Sequence, residues 1–333
     1  MNWWRLSRRN FLASSASLGT ATVAMQAAVT MQAALAAQES AGQESAIPVV
    51  DTHEHLWDLS RLRLPWLNQA RSAHFRRSYL PKDYDEATNG INIVKTVYME
   101  VNCDPADHEA EADYVIKLCQ SPNSRMRGAV IGGSVDRPGF PAYIKKYATN
   151  PHVKGVRMIL NDPDRHKGLC LQPTFVKNVQ YLGELGLSYD ICIRPAELMD
   201  AVRLIEHCPR TRFIIDHCGN RDVQATDEKS RLTWEEGVKA AASHENVMCK
   251  ISGILATAKP KTWQPADLAP AINFCLDTFG PDRVFFGGDW PVCTTVATYR
   301  QWFDALTSII RDRSPEFRRK LMHDNAVRFY KLT

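Results

Sequence analysis

Several short patterns that mark common chemistries are missing from these 333 residues. No Gly-x-Gly-x-x-Gly follows any strand-like run, which excludes a dinucleotide-binding doubly wound sheet and, with it, an organic redox cofactor. No Gly-x-Ser-x-Gly elbow is present, so an activated serine of the α/β-hydrolase kind is not expected. There are nine cysteines, an odd number, and no Cys-x-x-Cys, which argues against a zinc knuckle, a thioredoxin-like pair or a closed disulfide framework. Several cysteines sit inside apolar runs, as in Asp190-Ile191-Cys192-Ile193 and Val247-Met248-Cys249, and are expected to be buried, reduced and inert. No block of like charge occurs and the net charge is only +4, so nucleic acid is not an expected partner. Beyond residue 46 there is no repeat, no low-complexity tract and no run approaching the roughly 18 apolar residues of a membrane span. What remains, 44% hydrophobic and 23% charged, is the composition of a soluble globular body with a sizeable core.

Residues 1–46 differ from the rest. Ser7-Arg8-Arg9-Asn10-Phe11-Leu12 precedes an Ala/Ser/Thr/Met/Val stretch without charge until Glu39, and Ala34-Leu35-Ala36 offers a small-residue cleavage site. This resembles a twin-arginine export signal, which carries folded proteins to the periplasm. An uncleaved membrane anchor is the alternative; the stretch is only mildly hydrophobic, which suits export better. Export after folding would also account for thiol-rich cargo without disulfides. Contact with a membrane is expected only through this segment.

From residue 47 to 333, short β-branched runs alternate with amphipathic stretches. Strands are expected at Ile47–His53, Ile93–Val101, Met126–Gly132, Val153–Leu160, Leu187–Ile193, Arg212–His217, Val247–Ser252 and Arg283–Asp289. Most are apolar with little alternation, as strands covered on both faces are. Helices are expected between them, at Asp107–Gln120, Phe140–Thr149, Gln172–Leu185, Ala196–His207, Lys229–Ala242, Ala266–Phe279 and Thr298–Arg311, with a last one at Pro315–Tyr330. Pro138, Pro195 and Pro265 stand near helix starts, and Gly186 and Gly280 near helix ends. Eight such units predict a single-domain α/β fold, the (β/α)₈ or TIM barrel. The Leu56–Asn92 segment, carrying Trp57, Trp66, Tyr79 and Tyr84, reads as a loop over the barrel mouth with one helix near Lys82–Thr88.

Candidate chemistry gathers at the strand ends. His53 and His55, two apart, point to one side of the first strand and are natural ligands for a divalent metal. Asp289 closes the last strand in Phe285-Phe286-Gly287-Gly288-Asp289-Trp290-Pro291. In a closed barrel the first and last strands are neighbours, so Asp289 faces the two histidines. Glu100 ends the second strand, Arg157 lies in the fourth, His217 closes the sixth, and Lys250 and Ser252 share a face of the seventh. Each alone is as easily a satisfied core group; together, at strand C-termini, they point to an active site. His74, His108, His152, His166, His207, His244 and His323 lie in loops or helices and are read as structural.

The Asp-Thr-His-x-His opening, the His217 strand, Lys-x-Ser-Gly at 250–253 and the Gly-Gly-Asp-Trp-Pro close resemble the amidohydrolase superfamily over about residues 47–331. They are closest to its "amidohydrolase 2" branch, which holds L-fuconolactone and L-rhamnonolactone hydrolases, 4-sulfomuconolactone hydrolase, 2-pyrone-4,6-dicarboxylate lactonase and decarboxylases. The resemblance implies that His53 and His55 are first-strand ligands, that His217 is the sixth-strand active-site histidine, and that Asp289 is the acid/base. The fifth strand departs from the fuller metal pattern, offering neither the His nor the Lys often used there. A divalent metal, zinc as first choice, is therefore left open; if present, Glu100 could join His53, His55, His217 or Asp289 around it. The implied activity is hydrolysis of a small lactone, with a sugar-acid lactone as the first choice of substrate. Asp289 would serve as base while His217, Lys250 and Arg157 meet developing charge. Arg194, Ser252, Trp57 and Trp290 are expected to touch the substrate. A metal-dependent decarboxylase and a non-catalytic carbohydrate-binding envelope protein are the competing readings, and a homo-oligomer stays open.

Overall fold

Eight parallel strands follow one another in chain order, β1 Val49–Glu54, β2 Ile93–Met99, β3 Met126–Gly132, β4 Val153–Arg157, β5 Ser188–Ile191, β6 Arg212–Ile215, β7 Val247–Ile251 and β8 Val284–Phe286. The structure is a computed structural model and describes residues 47–333. The export segment read over residues 1–46 lies outside the described residues. At the seam the Asp289 N–H donates to the His53 carbonyl (2.8 Å) and the His55 N–H to the Trp290 carbonyl (2.8 Å), so the last strand lies beside the first. The result is the expected (β/α)₈ arrangement, with Pro48–Thr333 as one compact unit.

The helices are α1 Pro81–Ala87, α2 His108–Gln120, α3 Phe140–Lys145, α4 Pro173–Glu184, α5 Leu198–His207, α6 Glu228–Ala242, α7 Pro265–Phe279, α8 Tyr299–Ile309, α9 Pro315–Arg319 and α10 Asn325–Tyr330. Their ends have local causes. Asp227 caps α6 by accepting from the Ser230 N–H, Thr298 and Gln301 form a reciprocal cap on α8, and Gly186 and Gly280 follow α4 and α7 at positive φ. The expected final helix is divided: a wide π turn at Lys320–Asp324 separates α9 from α10. Past that turn, Asn325 donates to the carbonyls of Pro281 (2.8 Å) and Val284 (2.7 Å). Ala326, Tyr330 and Leu332 then pack with Val50, Val97, Val130, Ile214, Met248 and Phe285 to form one end of the core.

Most strands stop two or three residues before their expected C-termini. The backbone turns there, with positive φ at Asn102 (49°), His217 (56°), Cys218 (52°) and Asp289 (52°). Non-glycine residues rarely adopt this conformation, and it clusters where side chains must be re-aimed. Above these turns, the 56–80 segment forms two short 3₁₀ turns and a two-residue bridge between Trp57 and Tyr79. All nine cysteines are buried and unpaired, as their apolar settings predicted.

Candidate active site

The register of β1 shifts between Asp51 and Glu54. One consequence is that Asp51 is held from the helix side, where the hydroxyls of Tyr84 and Tyr299 each donate to its Oδ2 at 2.8 Å. Its Oδ1 accepts from the backbone N–H groups of His53 (2.9 Å) and Gly288 (2.7 Å). The two glycines before Asp289 make this closeness possible. A Cβ on Gly288 would lie 2.4 Å from Asp51 Oδ2, and one on Gly287 would lie 2.8 Å from His53 Cβ. Thus what approaches the Gly-Gly backbone is β1 itself, and the seam is locked with Asp289 aimed at the histidines.

His53 and His55 lie edge to face with ring centres 4.8 Å apart, and His53 lies 4.4 Å from His217. Asp289 Oδ1 is 3.6 Å from His53 Nε2 and 3.4 Å from His55 Nε2. His55 Nδ1 faces only carbonyls, Met99 O at 3.0 Å and Glu100 O at 3.1 Å. Since carbonyls only accept, Nδ1 carries a proton and Nε2 is the atom presented to Asp289. His217 is oriented by a hydrogen bond between its Nδ1 and Ser252 Oγ at 2.8 Å, and it occupies the space a Cβ on Gly253 would need. Burial above all, with help from Lys250, His217, His55 and Arg157, holds His53 well below the ordinary imidazole value. Burial also lowers His217, against the opposing pull of Asp289 and Asp216. Both rings are therefore neutral, basic nitrogen donors near pH 7.

Beneath the histidines runs a chain of alternating buried charges. Arg157 Nε donates to Glu100 Oε1 (2.6 Å), its Nη1 to Asp216 Oδ2 (3.2 Å) and to His53 Nε2 (3.2 Å). Lys250 Nζ then joins Asp216 Oδ1 (3.1 Å) to Asp190 Oδ2 (2.8 Å). Burial opposes the charge on Asp216, but Lys250, His217 and Arg157 prevail and hold it below the usual carboxylate range. Asp190, held by Lys250 but further from other cations, is pushed up to about 6, chiefly by burial. Lys250 is fully buried between these two carboxylates, so its contact is with Asp216 and Asp190.

The other sequence candidates fall in different places. Ser252 is joined to His217 as described, and Trp290 packs edge to face on Tyr79 and Tyr84. Trp57 is buried among Trp66, Phe75 and Tyr79, with its indole N–H donating to Arg77 O. Arg194 is a neighbour of Glu197, gripping both its carboxylate oxygens, and donates to Asp162 O (2.9 Å). It does not converge on the histidine cluster. Three residues were passed over in the sequence. Asp216 and Asp190 are carboxylates inside apolar runs, the same signal that singled out Arg157 and Lys250. His108, read as structural, lines a cavity of about 340 Å³ beside Glu100 and Arg157; nothing in its local sequence marks it.

His53, His217 and Asp289 each offer a ligand atom, all within 4.8 Å of one another, and His55 Nε2 is adjacent. The fixed His55 tautomer, the neutral imidazoles of His53 and His217 and a facing carboxylate form a nitrogen and oxygen donor set that suits a borderline divalent ion such as zinc. The chain belongs to the amidohydrolase family, whose model matches residues 50–332. Among its relatives, the L-fucono-1,5-lactonase of Burkholderia ambifaria is 24% identical, covering 85% of this chain and 95% of that protein. A Burkholderia multivorans amidohydrolase crystallised with bound zinc shares the fold at a TM-score of 0.76 and 22% identity, over 86% of this chain and all of that one. The 5-carboxyvanillate decarboxylase of Sphingomonas paucimobilis shares it at a TM-score of 0.61 and 15% identity, over 86% and 100%.

Proposed function

We propose that the protein is a lactone hydrolase and that Asp289 is its general base. The observation carrying this reading is the Asp289 carboxylate set 3.4–3.6 Å from two imidazole nitrogens at the barrel seam. Ring opening needs a water to add to the ester carbonyl. Asp289 takes that water's proton as the new C–O bond forms; the ring C–O bond then breaks, and the proton passes to the departing ring oxygen. The carbonyl oxygen gathers negative charge, which Arg157, ion-paired with Glu100 and Asp216 but only 3.2 Å from His53 Nε2, offsets through its field, and which neutral His217 meets only as an N–H hydrogen-bond donor. A divalent cation, with zinc the first choice, fits among His53, His55, His217 and Asp289, where it would polarise the carbonyl and acidify water. Glu100 serves Arg157 first, with its carboxylate already engaged. Lys250 acts at one remove, holding Asp216 against Arg157.

The lactonase-named relative favours a sugar-acid lactone as the substrate, and the N-terminal segment favours export to the periplasm. The reading is tested with the purified protein and a panel of aldonolactones, following acid release and recording metal content on the same sample. Asp289→Asn should lower kcat by on the order of 10²–10⁴ while circular dichroism stays native, as loss of a general base does. Full turnover in that variant removes Asp289 from the role. Carbon dioxide release from aromatic acids, without lactone opening, would favour a decarboxylase instead.

A further inference from the structure

Apart from Arg157 and its partner Glu100, the cavity beside the catalytic cluster is lined by residues that no step above uses. It lies against Glu100, Gly133 and Ser134, and Arg157 and Met158, at the ends of β2, β3 and β4, and is covered by Trp66 and Gln69 of the 56–80 segment. Its inner wall is Arg157, whose Nη1 is 3.2 Å from His53 Nε2, so the cavity adjoins the place where the ester would react. At about 340 Å³ it has room for a substituted five- or six-membered ring.

We propose that this cavity is the specificity subsite of the reaction and that it reads hydroxyl groups on an uncharged lactone ring through His108, Asp162 and Asp164. The inference rests on the lactonase reading of the same mouth. Glu100 and Arg157 are spent on each other at 2.6 Å. Within the lining that leaves Asp162 and Asp164 against one cation, Arg165, while Arg194 behind Asp162 is already held by Glu197, so the lining carries an excess of negative charge. A carboxylate on the substrate would be repelled there, whereas hydroxyl donors would be accepted. Asp162 Oδ1 accepts from the Asp164 N–H (3.0 Å), and its other oxygen has no hydrogen-bond partner among the described residues; neither does the Asp164 carboxylate. His108 opens α2; its carbonyl accepts from the Tyr143 hydroxyl (3.4 Å) and its ring lies 6.0 Å from that of Tyr143, but its ring nitrogens have no hydrogen-bond partner among the described residues. Burial keeps it below the ordinary imidazole value, so it offers one donor and one acceptor, the pairing that suits a hydroxyl. Trp66, its indole N–H tied to Val101 O (2.9 Å), presents an apolar wall for the C–H face of a sugar ring.

The test compares wild type with His108→Ala and with Asp162→Asn/Asp164→Asn on three lactones: a polyhydroxylated aldonolactone, unsubstituted δ-valerolactone and a carboxylated lactone. Each variant should lose about tenfold more in kcat/KM on the aldonolactone than on δ-valerolactone, mainly through KM, as loss of hydrogen bonds to a substrate hydroxyl does. Equal losses on both, or a wild-type preference for the carboxylated lactone, would overturn the subsite. Calorimetric titration with a polyhydroxylated lactam, a ring that resists hydrolysis, separates this inference from the one beneath it. Binding that weakens in both variants, without turnover of any lactone by wild type, keeps the subsite and sinks the lactonase reading. No binding of the lactam to wild type sinks the subsite, whatever the turnover.

Discussion

Removing the Lys250 ammonium is the sharpest test of how the barrel interior is held together. Lys250 is fully buried and bonded to Asp190 (2.8 Å) and Asp216 (3.1 Å), both themselves fully buried. In Lys250→Met the side-chain volume is nearly kept, so packing changes little and electrostatics dominate. Asp216 keeps Arg157, but Asp190 has no other ion-pair partner among the described residues. Breaking one side of a buried pair costs about 3–5 kcal/mol because the remaining charge is left uncompensated. At this chain length that loss corresponds to a fall in Tm on the order of 10 °C. Asp190→Asn in the same chain removes the stranded charge, so the double variant should recover much of the loss. Differential scanning calorimetry and urea titration of the three variants measure this. A single-variant loss below about 1 kcal/mol, or a double variant that loses the sum of the two singles, would refute the account.

Two further outcomes follow from the buried titrating groups. Glu54 points away from the histidines, and burial pushes its carboxyl up from 4.5 to about 8. The native state therefore holds a proton that the unfolded chain releases, and stability erodes as pH rises between those values. Glu54→Gln should remove that erosion, leaving it more stable than wild type at pH 9 by on the order of 3 kcal/mol in denaturant titrations; equal stabilities at pH 9 would contradict it. His53 and His217 are both held below 6.5, so the unfolded chain binds more protons as pH falls below that value. Stability should drop on acidification from about pH 6.5, by up to about 1.4 kcal/mol per pH unit for each histidine, and His217→Gln should flatten that slope. An unchanged slope would show that His217 is not buried neutral.

Much of the fold was legible because hydrophobic burial on both strand faces leaves a visible mark. The eight apolar runs at Ile93, Met126, Val153 and their counterparts are such marks, and β3 was legible to its ends. Chain order alone then made β1 and β8 neighbours, which brought Asp289 to His53 and His55. Strand ends were less legible. Residues such as His217 and Asp289 continue an apolar run in sequence, yet their backbone is already turning at positive φ. Similarly, Pro315–Tyr330 has a continuous helical pattern, and only packing of Asn325 on the β8 end reveals the break.

The site divides along the same line. Residue type and position at a strand terminus were enough to select His53, His55, His217, Asp289 and Arg157, because polar groups in apolar runs are costly unless employed. Direction and partnership were not readable, since they depend on what lies across the barrel. Lys250 and Asp190 are 60 positions apart and meet at 2.8 Å. Arg194 spends its guanidinium on Glu197, and His108 reaches the mouth only because α2 begins beside β2 and β3. Local sequence determined which groups and which strands; the closed ring of strands decided which charges neutralise one another and which were left facing the cavity.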